Sequence, residues 1–294
     1  MVKQNSPQAW LLAARPKTLT AAATPVLVGC ALAFHDNRFH WLPAFTCLLF
    51  ALIAQIISNF ANDYFDYKKG TDNEERLGPQ RAVAEGWIAP KTMLYATLGL
   101  LAVDMVIGLS LLQYGGWKLI MVGALVALFA IAYSGGPYPL AYHGWGDVCV
   151  FIFFGIIPVG FTYYVQASQW TVPVTMSGIA VGLVIINILV ANNYRDRFSD
   201  EKTHKKTTII LFGEKFGRYF YLFNGIIAVI CCQYFLFEKT IWAGLLPLIY
   251  LLFHITTWRT MVTIGKGTQL VGILGQTARN VFIFGLLLSS GLLI

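Results

Sequence analysis

The chain has 294 residues, of which 57% are hydrophobic and only 12% charged, and its mean hydropathy is +0.63. That balance excludes a soluble globular domain and describes a protein that crosses a membrane many times. The net charge of +7 gives no reason to invoke nucleic acid, because the basic residues cluster at the ends of apolar runs.

Apolar stretches fall at 18–34, 41–62, 92–112, 119–134, 148–166, 171–191, 219–237, 240–257 and 280–294. Each is close to the roughly 20 residues a spanning helix needs. The stretches lack barrel-like alternation, and lipid cannot satisfy an open backbone, so the expected fold is an all-α bundle of nine transmembrane helices. The first stretch, after Arg15 and Lys17, has the look of a secretory signal. Eight further spans make it a retained first helix.

Nine crossings put the N-terminus and the loops after spans 2, 4, 6 and 8 on one side, which then holds 18 of the 21 Lys and Arg. Arg38, Lys118 and Lys239 are left on the other. The positive-inside rule places the N-terminus in the cytoplasm and the C-terminus outside, as for a multi-pass protein of a bacterial inner membrane. The cysteines at 30, 47, 149, 231 and 232 lie in or beside apolar spans without CxxC spacing. They indicate neither a disulfide framework nor a soft-metal site.

Span 2 ends in Asn62-Asp63-Tyr64-Phe65-Asp66, and span 6 in Asn192-Asn193-Tyr194-Arg195-Asp196-Arg197-Phe198-Ser199-Asp200. Steps of four residues stack Asn62 on Asp66, and Asn192, Asp196 and Asp200 on one another, along one helix face. Carboxylates at a helix C-terminus face the negative end of the macrodipole, which is unfavourable unless a cation offsets them. The residues therefore read as halves of one Mg²⁺ site, with solvated helix ends as the plainer reading. The offset from Asn62 to Asn192, and from Asp66 to Asp196, is 130 residues. It implies a parallel pseudo-repeat within a single membrane domain, with halves at about 17–134 and 147–257 and a closing ninth helix. Cap loops are expected at about 63–91, 134–147 and 193–218.

Lys69, Arg76, Arg81, Arg195 and Lys205 surround the acidic clusters, and Arg15 precedes the first span. Carboxylates with Arg and Lys around one cleft suit a metal-bound anion, the cations taking phosphate oxygens directly. Some of these cations could instead only set topology against lipid head groups. The loop after span 4 runs from Tyr133 and Ser134 through Gly, Pro and Tyr138 to His143 and Asp147, with no charge before His143. It reads as a lid that excludes water, or as an interfacial aromatic belt. Asp104 interrupts span 3 and should face the interior or sit nearer a helix end.

The stretches ARPKTLTAAATPVLVG, QIISNFANDYFDYKKGTDNEERLGPQRAVAEG, YSGGPYPLAYHGWGD and NNYRDRFSDEKTHKKTT, in that order, resemble the UbiA-type family of intramembrane prenyltransferases. The likeness is to its branch that prenylates 1,4-dihydroxy-2-naphthoate in menaquinone biosynthesis. The resemblance implies a central cavity under cap loops, where Mg²⁺ meets a polyprenyl diphosphate and a small aromatic acid is the acceptor. It puts Asn62, Asp66, Asn192, Asp196 and Asp200 on the metal, and Asp63, Asp66, Asp196 and Asp200 in catalysis. Gly70 stands where some relatives carry a further Asp, so Asp72 could substitute.

Chemistry adds Arg15, Lys69, Arg76, Arg81, Arg195 and Lys205 as diphosphate ligands. Tyr133, Ser134, Tyr138, Asp147, Tyr163 and Arg279 are candidates to stabilise an allylic cation or bind the acceptor. Beyond these substrates and the bilayer, no obligate protein partner is evident in the sequence. A 4-hydroxybenzoate prenyltransferase, or an ion-coupled transporter with an acidic site, are the competing readings.

Overall fold

The computed structural model describes residues 2–70 and 78–294, and every element among them is helical apart from an isolated bridge between His143 and Lys206. A short α1 (Pro7–Ala14), capped by the Ser6 hydroxyl, meets α2 (Pro16–His35) at Arg15, which takes a left-handed φ of 51°. Then follow α3 (Trp41–Lys69), α4 (Pro90–Ser110) with a one-turn α5 (Leu112–Gly115), and α6 (Lys118–Ala132). After a 3₁₀ turn at Leu140–Tyr142, α7 (Gly146–Val150) passes through a π turn (Phe151–Ile156) into α8 (Ile157–Ala167). The second half comprises α9 (Val172–Lys202), α10 (Thr208–Phe212), α11 (Glu214–Cys232) with α12 (Tyr234–Phe237), α13 (Ile241–Leu245) running through a 3₁₀ turn into α14 (Tyr250–Ile264), and α15 (Leu270–Leu293).

Eight helical runs are long and apolar enough to cross a membrane, and the expected fourth span, α6, is a shorter apolar helix of 15 residues. The last helix begins ten residues before the expected 280, because Gln276, Arg279 and Asn280 interrupt its hydropathy without breaking the helix. Asn280 donates its amide to Thr257 Oγ1 at 2.9 Å and to the Phe253 carbonyl, so its polarity is satisfied against α14. The helices bearing the acidic clusters also overrun their apolar runs, α3 to Lys69 and α9 to Lys202.

α9 is the axis of the bundle and packs on α11, α15, α8 and the π turn, while α2 packs on α15, α8 and α3. Close approach at the π turn needs glycine on both sides: a Cβ on Gly155 would lie 2.4 Å from the Gly182 Cα. Gly178 and Gly182 form a small-xxx-small face on α9, the means by which helices in lipid gain packing when no hydrophobic force separates them from the solvent.

Elsewhere the second half is joined by buried polar contacts. The His254 ring lies between the rings of Tyr221 and Tyr250, at 5.0 and 5.2 Å. Its Nε2 is 3.0 Å from the Leu222 carbonyl, which can only accept, so Nε2 carries the hydrogen and Nδ1 accepts from Tyr250. Asn224 to Asn187 and Tyr221 to Thr277 extend the network across α9, α11 and α15. Asp104 is buried, as an intramembrane carboxylate should be. All five cysteines are free.

Candidate active site

The site lies where the last turns of α3 and α9 converge beneath the loop after α6. α3 stops one turn beyond Asp66 because Gly70 adopts φ 69° and donates its N–H to the Asp66 and Tyr67 carbonyls. Glycine takes this left-handed cap without a Cβ penalty. One cavity is lined by Asn62 and Asp66 of α3 and by Asn192, Asp196 and Asp200 of α9, together with Arg15, Arg81 and Lys205. The loop after α6 adds Tyr133, Ser134 and Tyr142, and the start of α7 adds Asp147. Both four-residue stacks thus face a common space.

Asp66, Asp196 and Asp200 each have their own cation. Arg81 reaches Asp66 at 3.4 Å, Arg195 grips Asp196 through two bonds of 2.7 and 2.6 Å, and Lys205 lies 3.6 Å from Asp200. These pairs supply the positive charge that carboxylates at a helix C-terminus require. Arg195 is only 1% exposed and is not among the lining residues, so its charge serves Asp196 rather than the open cavity.

Tyr142 joins the two halves. Its hydroxyl donates to Asp66 Oδ1 at 2.7 Å, and its ring has the Lys69 and Lys205 ammonium groups 4.2 and 5.4 Å from its centroid. Its carbonyl accepts from the Lys206 N–H of the loop after α9. Ser134 donates to Asn62 Oδ1 at 2.6 Å, and its carbonyl accepts from Lys69. The uncharged loop is therefore fastened to α3 and to the loop after α9, and roofs the cavity.

Several other candidates are placed differently. Asp63 is buried and accepts the backbone N–H groups of Ala82 and Val83 at 3.1 and 3.3 Å, so it anchors the segment that presents Arg81. It does not line the cavity. Tyr138 is 54% exposed and stacks on His143. Tyr163, near the C-terminal end of α8, donates to Asp36 at the end of α2, at the opposite end of the bundle. An outward-facing Arg279 contacts Asn280 and the Phe253 ring. Arg76 and Asp72 lie outside the described residues.

Sequence reasoning did not single out Tyr142, Asn193, Ser199, Thr203, Thr207 or Thr208, all of which line the cavity. Ser199 and Thr203 continue the face of Asp196 and Asp200 at steps of three and four, a signal legible in the sequence. Tyr142 carried no such signal, because its bond to Asp66 spans 76 residues.

The donor chemistry fits a hard divalent cation. Asn192 Oδ1 and Asp200 Oδ2 are buried acceptor oxygens without a hydrogen-bond partner, on the same helix face and lining the same cavity. No group of three or more Asp, Glu, His or Cys stands close enough to enclose an ion among the described residues. The fit therefore rests on oxygen chemistry and on these two unpaired acceptors.

Comparison with known proteins shows what the chain is similar to. A 1,4-dihydroxy-2-naphthoate octaprenyltransferase of Haemophilus influenzae is 34% identical over 235 residues, 76% of this chain and 75% of its own. The Mycobacterium leprae protein of the same name is 37% identical over 212 residues, 72% of each chain. A UbiA homologue from Archaeoglobus fulgidus, solved bound to GPP and Mg²⁺, superimposes with a TM-score of 0.67 over 96% of this chain and 99% of its own. At 15% identity that likeness speaks for the fold. The model of the UbiA prenyltransferase family matches residues 22–266, which include both acidic helix ends and the loop between them, and the chain belongs to that family.

Proposed function

We propose that this protein transfers a polyprenyl group from polyprenyl diphosphate to 1,4-dihydroxy-2-naphthoate, with loss of CO₂, to give demethylmenaquinol in menaquinone biosynthesis. The observation that carries the reading is the single cavity in which acidic and basic side chains alternate as matched pairs beneath an uncharged aromatic roof. Relatives at 34–37% identity bear the corresponding name.

Asn62, Asp66, Asn192, Asp196 and Asp200 would hold Mg²⁺. The ion would neutralise charge on the leaving diphosphate. Arg15, Arg81 and Lys205 line the same cavity and offer donors to phosphate oxygens. Arg81 and Lys205, now paired with Asp66 and Asp200, would be the groups to turn toward phosphate oxygens, and the carboxylates they release would be the ones to hold the cation. Asp66 and Asp200 would then keep a cationic partner at either stage, which keeps their desolvation cost low. Asp63 holds the Arg81 segment in reach, and Tyr142 and Ser134 keep the roof closed against water.

The allylic C–O bond breaks with its electron pair leaving on the diphosphate, and the electron-rich ring supplies the pair for the new C–C bond. The site then faces the cytoplasm, consistent with the 18-to-3 distribution of basic residues. Reporter tags at the C-terminus and beside Lys202 should read opposite sides of the membrane.

The test is purified protein with Mg²⁺, geranyl diphosphate and a panel of aromatic acids. Dihydroxynaphthoate labelled at its carboxyl carbon should release label in step with product. Product that keeps the label, or faster turnover of 4-hydroxybenzoate, would overturn the choice of acceptor.

A further inference from the structure

Asp147 is 6% exposed and lines the cavity, yet it belongs to neither acidic helix end. It stands at the start of α7, which packs on α9. Its Oδ2 accepts from Thr208 Oγ1 at 2.6 Å, and its Oδ1 is buried with no partner. Asp66, Asp196 and Asp200 each have a cation, whereas no Lys or Arg among the described residues pairs with Asp147. A buried carboxylate oxygen with nothing to accept from is costly. It persists where a ligand supplies the missing hydrogen.

Beside it, the Tyr133 hydroxyl lies against Gly146, 3.4 Å from where a Cβ would stand there. A larger residue at 146 would fill the space next to both groups. Phenols titrate near pH 10, so Tyr133 can donate but is a poor proton acceptor at neutral pH. The cavity thus offers one donor and one unpaired carboxylate side by side, in addition to the ion-paired helix ends.

We infer that Asp147 is the catalytic base for the acceptor, taking the proton of the ring hydroxyl that neighbours the carboxylate-bearing carbon; this rests on the function proposed above. As the allylic carbon bonds to that ring carbon, the hydroxyl O–H pair becomes the second bond of a ring carbonyl, and its proton passes to Asp147 Oδ1. The ring carboxylate then leaves as CO₂. Its bonding pair restores the aromatic ring as an oxyanion, and the proton returns from Asp147 to that oxygen. Atoms and charge balance, and the carboxylate ends each turnover ionised. Thr208 fixes Oδ2 so that Oδ1 faces the acceptor.

The experiment uses the full chain in detergent with Mg²⁺. Asp147→Asn should lower kcat for dihydroxynaphthoate by about 10²–10⁴-fold, the usual range for losing a general base. The affinity for geranyl S-thiolodiphosphate, a non-ionising donor analogue, should stay within threefold. Asp147→Ala should regain activity with added formate, and Asp147→Asn should not. If these variants do not fold, Thr208→Val decides: kcat should fall three- to tenfold with an unchanged KM for the diphosphate. A kcat within threefold of wild type for Asp147→Asn, an unaltered kcat for Thr208→Val, or an equal loss of analogue binding in Asp147→Asn would each overturn the role. Wild-type protein inactive on dihydroxynaphthoate would instead refute the proposed function before any variant is compared.

Discussion

The Tyr142 hydroxyl donates to Asp66 Oδ1 at 2.7 Å, and so ties the roof of the cavity to the first acidic helix end. The same ring lies against the ammonium groups of Lys69 and Lys205. One side chain therefore sets the position of an anion and of two cations. Tyr142→Phe keeps the ring and its cation contacts but loses a hydrogen bond to a charged group, an interaction of about 1.5–3 kcal/mol. Its KM for the prenyl diphosphate should rise about tenfold. Tyr142→Leu loses both kinds of contact and should be weaker still. Equal KM values for Phe and Leu variants would show that the ring plays no part.

The acidic residues of α9 should separate in their effect on stability. Asp196→Ala leaves Arg195, at 1% exposure, as an uncompensated buried charge, which costs about 3–5 kcal/mol. Asp200→Asn removes a partner from the more accessible Lys205. Both variants should lose more than nine-tenths of turnover, but only Asp196→Ala should show a markedly lower melting temperature. Double replacement of Arg195 and Asp196 by Met and Leu should recover stability without recovering turnover.

Chelation should act on both activity and stability. EDTA should abolish turnover, and millimolar Mg²⁺ should restore it. If Asn192 Oδ1 and Asp200 Oδ2 meet the cation, Mg²⁺ should raise the melting temperature of wild type and fail to raise that of Asp200→Asn. Full turnover in EDTA would remove the metal from the mechanism.

Which of these features could be read before the fold was known depends on range in sequence. Asn62 and Asp66, and Asn192, Asp196 and Asp200, repeat at the helical step, so their common face follows from spacing alone. The shared offset of 130 residues brought the pair together as a hypothesis, and both ends line one cavity. Asp63 adjoins these residues in sequence but points elsewhere, to backbone N–H groups 19 and 20 residues away. No local pattern announces such a bond. Tyr163 shows the converse: it sits about four turns beyond Asp147 along the run of α7, the π turn and α8, a distance the span boundaries already implied. Arg279 misled because polar residues inside α15 looked like the start of a helix. Asn280 shows why that start was false, its amide being satisfied by Thr257 and Phe253.

Asp63→Ala tests whether the residue positions Arg81. Loss of the carboxylate leaves two N–H groups without an acceptor, at about 1–3 kcal/mol each if they stay buried. Proteolysis near residues 78–83 should accelerate, and the KM for the diphosphate should rise more than kcat falls. Unchanged proteolysis together with an intact KM would sink the anchoring role.

Gly155→Val addresses the crossing at the π turn. A side chain there meets the Gly182 backbone at 2.4 Å, so the π turn and α9 must separate. Melting in detergent should fall by several degrees, while Mg²⁺ should still raise the melting temperature of the surviving folded protein. A variant as stable as wild type would mean that the crossing is looser than drawn.

Finally, α3 and α9 are 29 and 31 residues long, or about 44 and 46 Å at 1.5 Å per residue. The hydrocarbon core of a bilayer is only about 30 Å thick. Helices of this length outreach that core by several turns, enough to carry acidic last turns to the head-group level while the lower turns of the same helices lie among acyl chains. A reaction at this height sorts its own products. The diphosphate leaves into water and the prenylated ring into lipid, so neither competes with the other for an exit, and dilution into two separate phases opposes the reverse reaction.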